Sequence, residues 1–135
     1  MRKIILLCLP LLISCLSQND KDDVACTEEY RMLTITVRDS AAHPVILSQY
    51  FVRKTSTGDT LDFAREDPYA DSINKVQGIY IVFTDGKMGM TSKTGTSFEF
   101  HGFQNGMETV LENFTIGKDN CHVYWLSGKQ VIIIP

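Results

Sequence analysis

From Tyr30 onward a period-of-two alternation of apolar and polar residues dominates the sequence, and this pattern constrains the fold more than any other feature of the chain. Successive side chains of a strand point to opposite faces, so such alternation marks strands buried on one side. Arg31 to Arg38 places Leu33, Ile35 and Val37 on one face, and Met32, Thr34, Thr36 and Arg38 on the other. Asp39 to Pro44 is a turn, and Val45 to Arg53, rich in branched and aromatic residues, is a second strand. Ser56 to Asp59 turns the chain again before a short strand over Thr60 to Phe63. Ala64 to Lys75 is irregular and polar, a long loop with at most one helical turn. Gly78 to Thr84 is apolar on both faces, which predicts a central strand. After a loose stretch, Ser97 to Phe103 and Met107 to Ile116 flank Asn105-Gly106, the strongest hairpin signal in the chain. His122 to Leu126 and Val131 to Ile134 follow, joined by a tight connection at Ser127-Gly128-Lys129 as a last hairpin. Seven or eight short strands and no convincing helix predict an all-β protein, a single antiparallel β-sandwich over residues 26–135.

The first fifteen residues follow another rule. Arg2 and Lys3 precede a near-continuous apolar run, Ile4 to Ile13, which is half the length of a membrane-spanning helix. Basic start and short apolar run read as a signal peptide rather than a core helix. The run ends in Leu12-Ile13-Ser14-Cys15, which resembles the lipobox of bacterial lipoproteins. That resemblance implies cleavage before Cys15, acylation of its thiol and amine, and a protein anchored in a membrane; an ordinary secretory signal is the competing reading. Two or more acyl chains anchor firmly where one binds only marginally. Loss of residues 1–14 removes Arg2 and Lys3, moving the formal charge from −3 to −5 over 121 residues. Residues 15–25, Leu16 to Val24 among them, have no periodicity and little apolar content, as expected of a flexible tether. The absence of Asp after Cys15 resembles lipoproteins sorted to an outer membrane, and Lys21-Asp22-Asp23 resembles the acidic export signal of Bacteroidota surface lipoproteins.

Four cysteines are present. With Cys8 in the discarded segment and Cys15 lipidated, Cys26 and Cys121 remain, and a lone pair in an exported chain implies a disulfide. A metal site is the alternative, since His122 adjoins Cys121; adjacent strand residues point apart, which disfavours a shared ion.

Leu33-Thr34-Ile35-Thr36-Val37-Arg38-Asp39 followed by His43-Pro44-Val45 resembles the opening of carboxypeptidase-regulatory-like, or transthyretin-like, sandwich domains. Cys26 early, then Cys121-His122-Val123 and Ser127-Gly128 late, is similar to a group of small Bacteroidota lipoproteins. The first resemblance implies an Ig-like or transthyretin-like sandwich; the second implies envelope location and carries no activity. The Ala41-Ala42-His43 turn departs from the Asn-Gly form common in the family.

Signals of chemistry are sparse. His43, His101 and His122 lack partners at motif spacing and read as surface or edge residues. Gly86-Lys87-Met88-Gly89-Met90 lacks the spacing of a phosphate loop, and no Gly-x-Ser-x-Gly elbow occurs. Glu28-Glu29 and Asp22-Asp23 are adjacent pairs rather than carboxylates facing across a cleft. Trp125, Tyr124, Tyr50 and Phe103 are either core residues or an aromatic ligand platform. Asp39-Ser40-Ala41, Asp59-Thr60-Leu61 and Asp71-Ser72-Ile73 each resemble the Bacteroidota O-glycosylation sequon, making Ser40, Thr60 and Ser72 candidate acceptors in expected loops.

With 44% hydrophobic residues the chain is neither wholly disordered nor a polytopic membrane protein, and its acidity disfavours nucleic acid as a partner. No cofactor is expected. The expected function is that of a non-catalytic outer-membrane lipoprotein, facing the periplasm or the cell surface, that offers its sandwich to a protein or glycan partner. A carbohydrate-binding or accessory module of a glycan-processing system is the alternative, and a small hydrolase a weaker one. An open, uncharged edge strand favours protein binding, an exposed aromatic row favours glycan, and a pocket holding His101 or His122 beside a carboxylate favours an enzyme.

Overall fold

The computed structural model describes residues 24–135. The signal peptide expected at 1–14, the lipidation site Cys15 and the tether up to residue 23 lie outside the described residues. Among the described residues eight strands form two sheets: β1 (Met32–Asp39), β2 (Gln49–Lys54), β3 (Thr60–Leu61), β4 (Ile79–Thr84), β5 (Thr96–Gln104), β6 (Met107–Lys118), β7 (Val123–Ser127) and β8 (Val131–Ile134). One sheet has the order β4-β1-β8 and the other β3-β2-β5-β6-β7. The all-β sandwich-like architecture expected from the alternation is therefore present.

The core is what the period of two predicts. Ile35 and Val37 of β1, both fully buried, face Phe98, Phe100, Phe114 and Ile116 of the five-stranded sheet. Ring pairs such as Phe83–Phe98 (4.9 Å) and Phe98–Phe114 (5.9 Å) fill the interlayer space. Burying side chains of this size contributes about 1.5–3 kcal/mol each. Asn105 and Gly106 make the β5–β6 hairpin turn with φ of 51° and 79°, the positive values an Asn-Gly turn requires.

Five expectations are corrected. Ala64 to Lys75 is not irregular: α1 (Phe63–Glu66) and α2 (Pro68–Lys75) occupy it. Asp62 accepts from the Arg65 N–H and Asp67 from the Ala70 N–H, and Pro68 stands where a helix needs no N–H. The second strand begins at Gln49 rather than Val45, because Val45 to Ser48 crosses between the sheets. The Val45 N–H donates to Val37 on one side, the Ser48 N–H to Phe103 on the other, and the Tyr80 hydroxyl spans the gap, accepting from Leu47 and donating to Val45. β4 is an edge strand, not a central one. It is apolar throughout because a β-bulge opposite Leu33/Thr34 turns both Tyr80 and Phe83 to the core, while α1 and α2 pack against the strand. Asp85 to Met90 is a 3₁₀ turn rather than loose chain. Finally, β8 forms no hairpin with β7. It leaves for the other sheet and runs parallel to β1, so the sandwich is not wholly antiparallel. Gly128 makes this crossing possible: its φ is 112°, and a Cβ there would lie 2.5 Å from that of Phe114.

Candidate functional site

Three clusters of side chains stand apart from the core. The first lies where the chain enters the sandwich. Cys26 and Cys121 are joined, Cα to Cα 5.3 Å, across a sequence separation of 95. A loop of that length contributes about 4–5 kcal/mol in the chain-entropy account. The bridge brings the residues that follow the two cysteines together, and Thr27 Oγ1 lies 3.0 Å from His122 Nε2. On the other side of the ring, Nδ1 donates to Asp85 Oδ2 at 2.8 Å. Asp85 also accepts from the Arg31 N–H (2.8 Å) and the Val123 N–H (2.8 Å), so it ties the end of β4 to the starts of β1 and β7. Burial pushes the Asp85 carboxyl up, but these three donors more than reverse the effect and hold it below the ordinary carboxylate range. Asp119 accepts from the Cys121 and His122 N–H groups, which lower its pKa as well. His122 is thus a buried, doubly engaged residue, not the edge residue its sequence context suggests.

The second cluster covers the outer face of the five-stranded sheet. Phe51, Arg53, Glu99, His101 and Phe103 alternate with buried neighbours on β2 and β5. Arg53 donates to Glu99 through Nε (3.0 Å) and Nη2 (2.6 Å), and this pairing chiefly holds the Glu99 carboxyl low. His101 faces Glu108 and Glu99 with its two nitrogens and stacks under Phe51 at 4.7 Å. It is therefore buried on an outward face, again contrary to the sequence reading. Phe51 stacks on Phe103 in turn, 5.8 Å between centroids. These rings spend their faces on one another. The aromatic platform of Trp125, Tyr124, Tyr50 and Phe103 is not assembled: Tyr50 is buried against Tyr80, Trp125 packs on Phe114, and Tyr124 lies over Gly117.

The third region is the outer face of the three-stranded sheet. Register places Thr36 and Arg38 of β1 beside Val131 and Ile133 of β8, and Met32 and Thr34 farther along β1 opposite Thr84 and Ile81 of β4. Met32, Val131 and Ile133 are 53%, 57% and 58% exposed. β8 is an edge strand of four aliphatic residues with no charge. Gln130 accepts from the Thr36 N–H, and the period of two then turns the main-chain groups of Val131 and Ile133 away from β1. Sequence reading found the strand but, taking it for half of a hairpin, missed that one side of it has no partner strand among the described residues.

The candidate glycan acceptors are scattered. Ser40, Thr60 and Ser72 are all exposed, but only Ser40 sits in a turn. Thr60 belongs to β3, and Ser72 belongs to α2, where its hydroxyl donates to the Tyr69 carbonyl. Among the described residues no group of three or more His, Cys, Asp or Glu is placed to hold a metal ion. No helix among them is long and apolar enough to cross a membrane. No family model, curated protein or solved structure matches this chain.

Proposed function

We propose that the protein is a lipid-anchored, outer-membrane binding module that engages another protein, without catalysis, through the outer face and open edge of its three-stranded sheet. The observation that carries this reading is the β8 edge: uncharged, unpaired on one side among the described residues, and bordered by the exposed side chains of Val131 and Ile133. Natural sheets normally blunt such edges with charge or cover, and an edge left open is a template for strand addition. The Cys26–Cys121 bridge supports export, since disulfides persist in oxidising compartments. The lipobox-like segment ending at Cys15 supports anchoring. A photo-crosslinking residue at Ile133, compared with one at Asn113 on the other sheet, tests the surface in intact cells. A discrete protein adduct from position 133 and none from 113 is expected; equal or absent adducts overturn the reading. Mass spectrometry of the membrane fraction tests the anchor, and an unacylated soluble mature chain would remove it.

A second reading rests on the line Thr27–His122–Asp85, a hydroxyl, an imidazole and a carboxylate in hydrogen-bond sequence. In a hydrolase Thr27 would be the nucleophile, His122 its base and Asp85 the orienting group. An organophosphorus ester adduct on Thr27 that disappears in His122→Asn would establish it. The protein-binding reading expects no adduct.

A further inference from the structure

We propose that the outer face of the three-stranded sheet carries, at its β4 end, a socket for a basic, extended protein segment that inserts one aliphatic side chain. The inference rests on the protein-binding reading above and names the partner's chemistry. A concavity of about 210 Å³ opens between α1 and the β1–β4 pair. Its floor is Phe63 and Ile81, each 4% exposed, together with Thr84. Its rim is of another kind: Tyr30 and Met32 are more than half exposed, and the carboxylates of Glu66 and Asp67 stand at the mouth. Small-molecule sites typically enclose about 300–1,000 Å³, so this volume suits one inserted side chain rather than a whole ligand.

The charge of the rim selects the occupant. Glu66 and Asp67 supply two negative charges, and Lys87, 2.8 Å from Glu66, balances one of them. A buried apolar floor beneath a net acidic rim fits an aliphatic residue flanked by Lys or Arg, with the Tyr30 ring open to the flanking cation. Continuity decides for a protein segment. Met32 belongs both to the rim and to the outward row Met32, Thr34, Thr36 and Arg38, which runs along β1 to the two positions paired with Val131 and Ile133 of β8, so an extended chain seated in the socket continues onto the surface proposed for the partner.

Three acetylated, amidated peptides provide the test: Thr-Lys-Leu-Lys-Thr, Thr-Glu-Leu-Glu-Thr and Thr-Lys-Ser-Lys-Thr. Each is titrated at low salt into the ¹⁵N-labelled, disulfide-intact protein while amide shifts are followed. The Lys-Leu-Lys peptide is expected to move Phe63, Ile81 and Thr84 saturably, and the other two are not. The double variant Glu66→Gln, Asp67→Asn is expected to weaken that binding about three-fold, as the loss of exposed ion pairs does. Asp67→Asn keeps a helix-capping oxygen, and unchanged amides elsewhere verify its fold. Equal shifts from the Glu-Leu-Glu or Lys-Ser-Lys peptide, shifts centred elsewhere, or none at all overturn the socket. If the crosslink from position 133 persists while the peptides fail, the socket falls alone; if both fail, the protein-binding reading falls with it.

Discussion

On the outer face of the five-stranded sheet, Arg53 meets Glu99, His101 meets Glu99 and Glu108, and Phe51 lies between His101 and Phe103. On the outer face of the three-stranded sheet, Val131, Ile133 and Met32 stand more than half exposed beside Thr34, Thr36 and Arg38. The two faces belong to one sandwich and share one core, yet on β2 and β5 the first satisfies its side chains within the molecule, with Leu111 and Leu126 exposed only on β6 and β7, whereas the second exposes Met32, Val131 and Ile133 with no such network. Self-satisfied polar groups confer local rigidity and solubility. Apolar area left in water is the usual mark of a surface that something else covers. On the proposed protein-binding reading the contrast separates stability from recognition: changes on the first face should act on folding, and changes on the second on association.

The largest effect breaks the frame common to both faces. Replacing Cys26 and Cys121 together by Ala is expected to cost up to about 4–5 kcal/mol, read as a fall in the urea midpoint with a steeper slope, since the unlinked unfolded chain exposes more surface. Next comes the contrast itself. Phe51→Ala removes the ring between His101 and Phe103 and should cost about 2 kcal/mol, whereas Ile133→Thr should stay within about 0.5 kcal/mol in the same unfolding assay. A larger loss at Ile133 than at Phe51 would mean that the edge is part of the folding core and not a recognition surface. Asp85 sharpens the picture at the junction of the sheets. Its carboxyl is held below the ordinary value, so the stability it contributes is complete above about pH 4 and drains away as the pH falls through its folded value. Asp85→Asn should lower stability at neutral pH by about 1–2 kcal/mol and flatten that acid limb, seen by thermal melts from pH 7 to 2. The smallest effect is at Arg53: Arg53→Gln should cost about 0.5 kcal/mol, less in high salt, because the pair with Glu99 is solvent-exposed.

Much of the sandwich was legible because alternation is a local signal. Ile35 and Val37, Phe98 and Phe100, and the Asn105-Gly106 turn all sit where period and turn chemistry place them. The Cys26–Cys121 pair was legible from counting once Cys8 and Cys15 were set aside with the lipobox-like segment. The helices were missed because α1 and α2 are four and eight residues long and α2 buries no side chain, so no apolar stripe betrays them. Their caps, Asp62 and the Asp67-Pro68 pair, were the signal available. The apolar run of β4 was misread because a bulge and a helical cover imitate the pattern of a central strand. The surroundings of His101 and His122 were out of reach for another reason. His122 finds its carboxylate 37 residues away in sequence, and the stack of Phe51 on His101 needs the β2–β5 register. The open side of β8 follows from topology, which four aliphatic residues do not encode.

The sulfur bridge also fixes how the molecule bears force. A pull applied ahead of Cys26 passes through the covalent link to Cys121 and on to the strand beyond it, so the span between them, most of the sandwich, is shielded from tension. A load applied at the β8 edge would be carried through the segment beyond Cys121, which holds β7 and β8, while the chain between the two cysteines could not be drawn out to its full length as long as that bond stands.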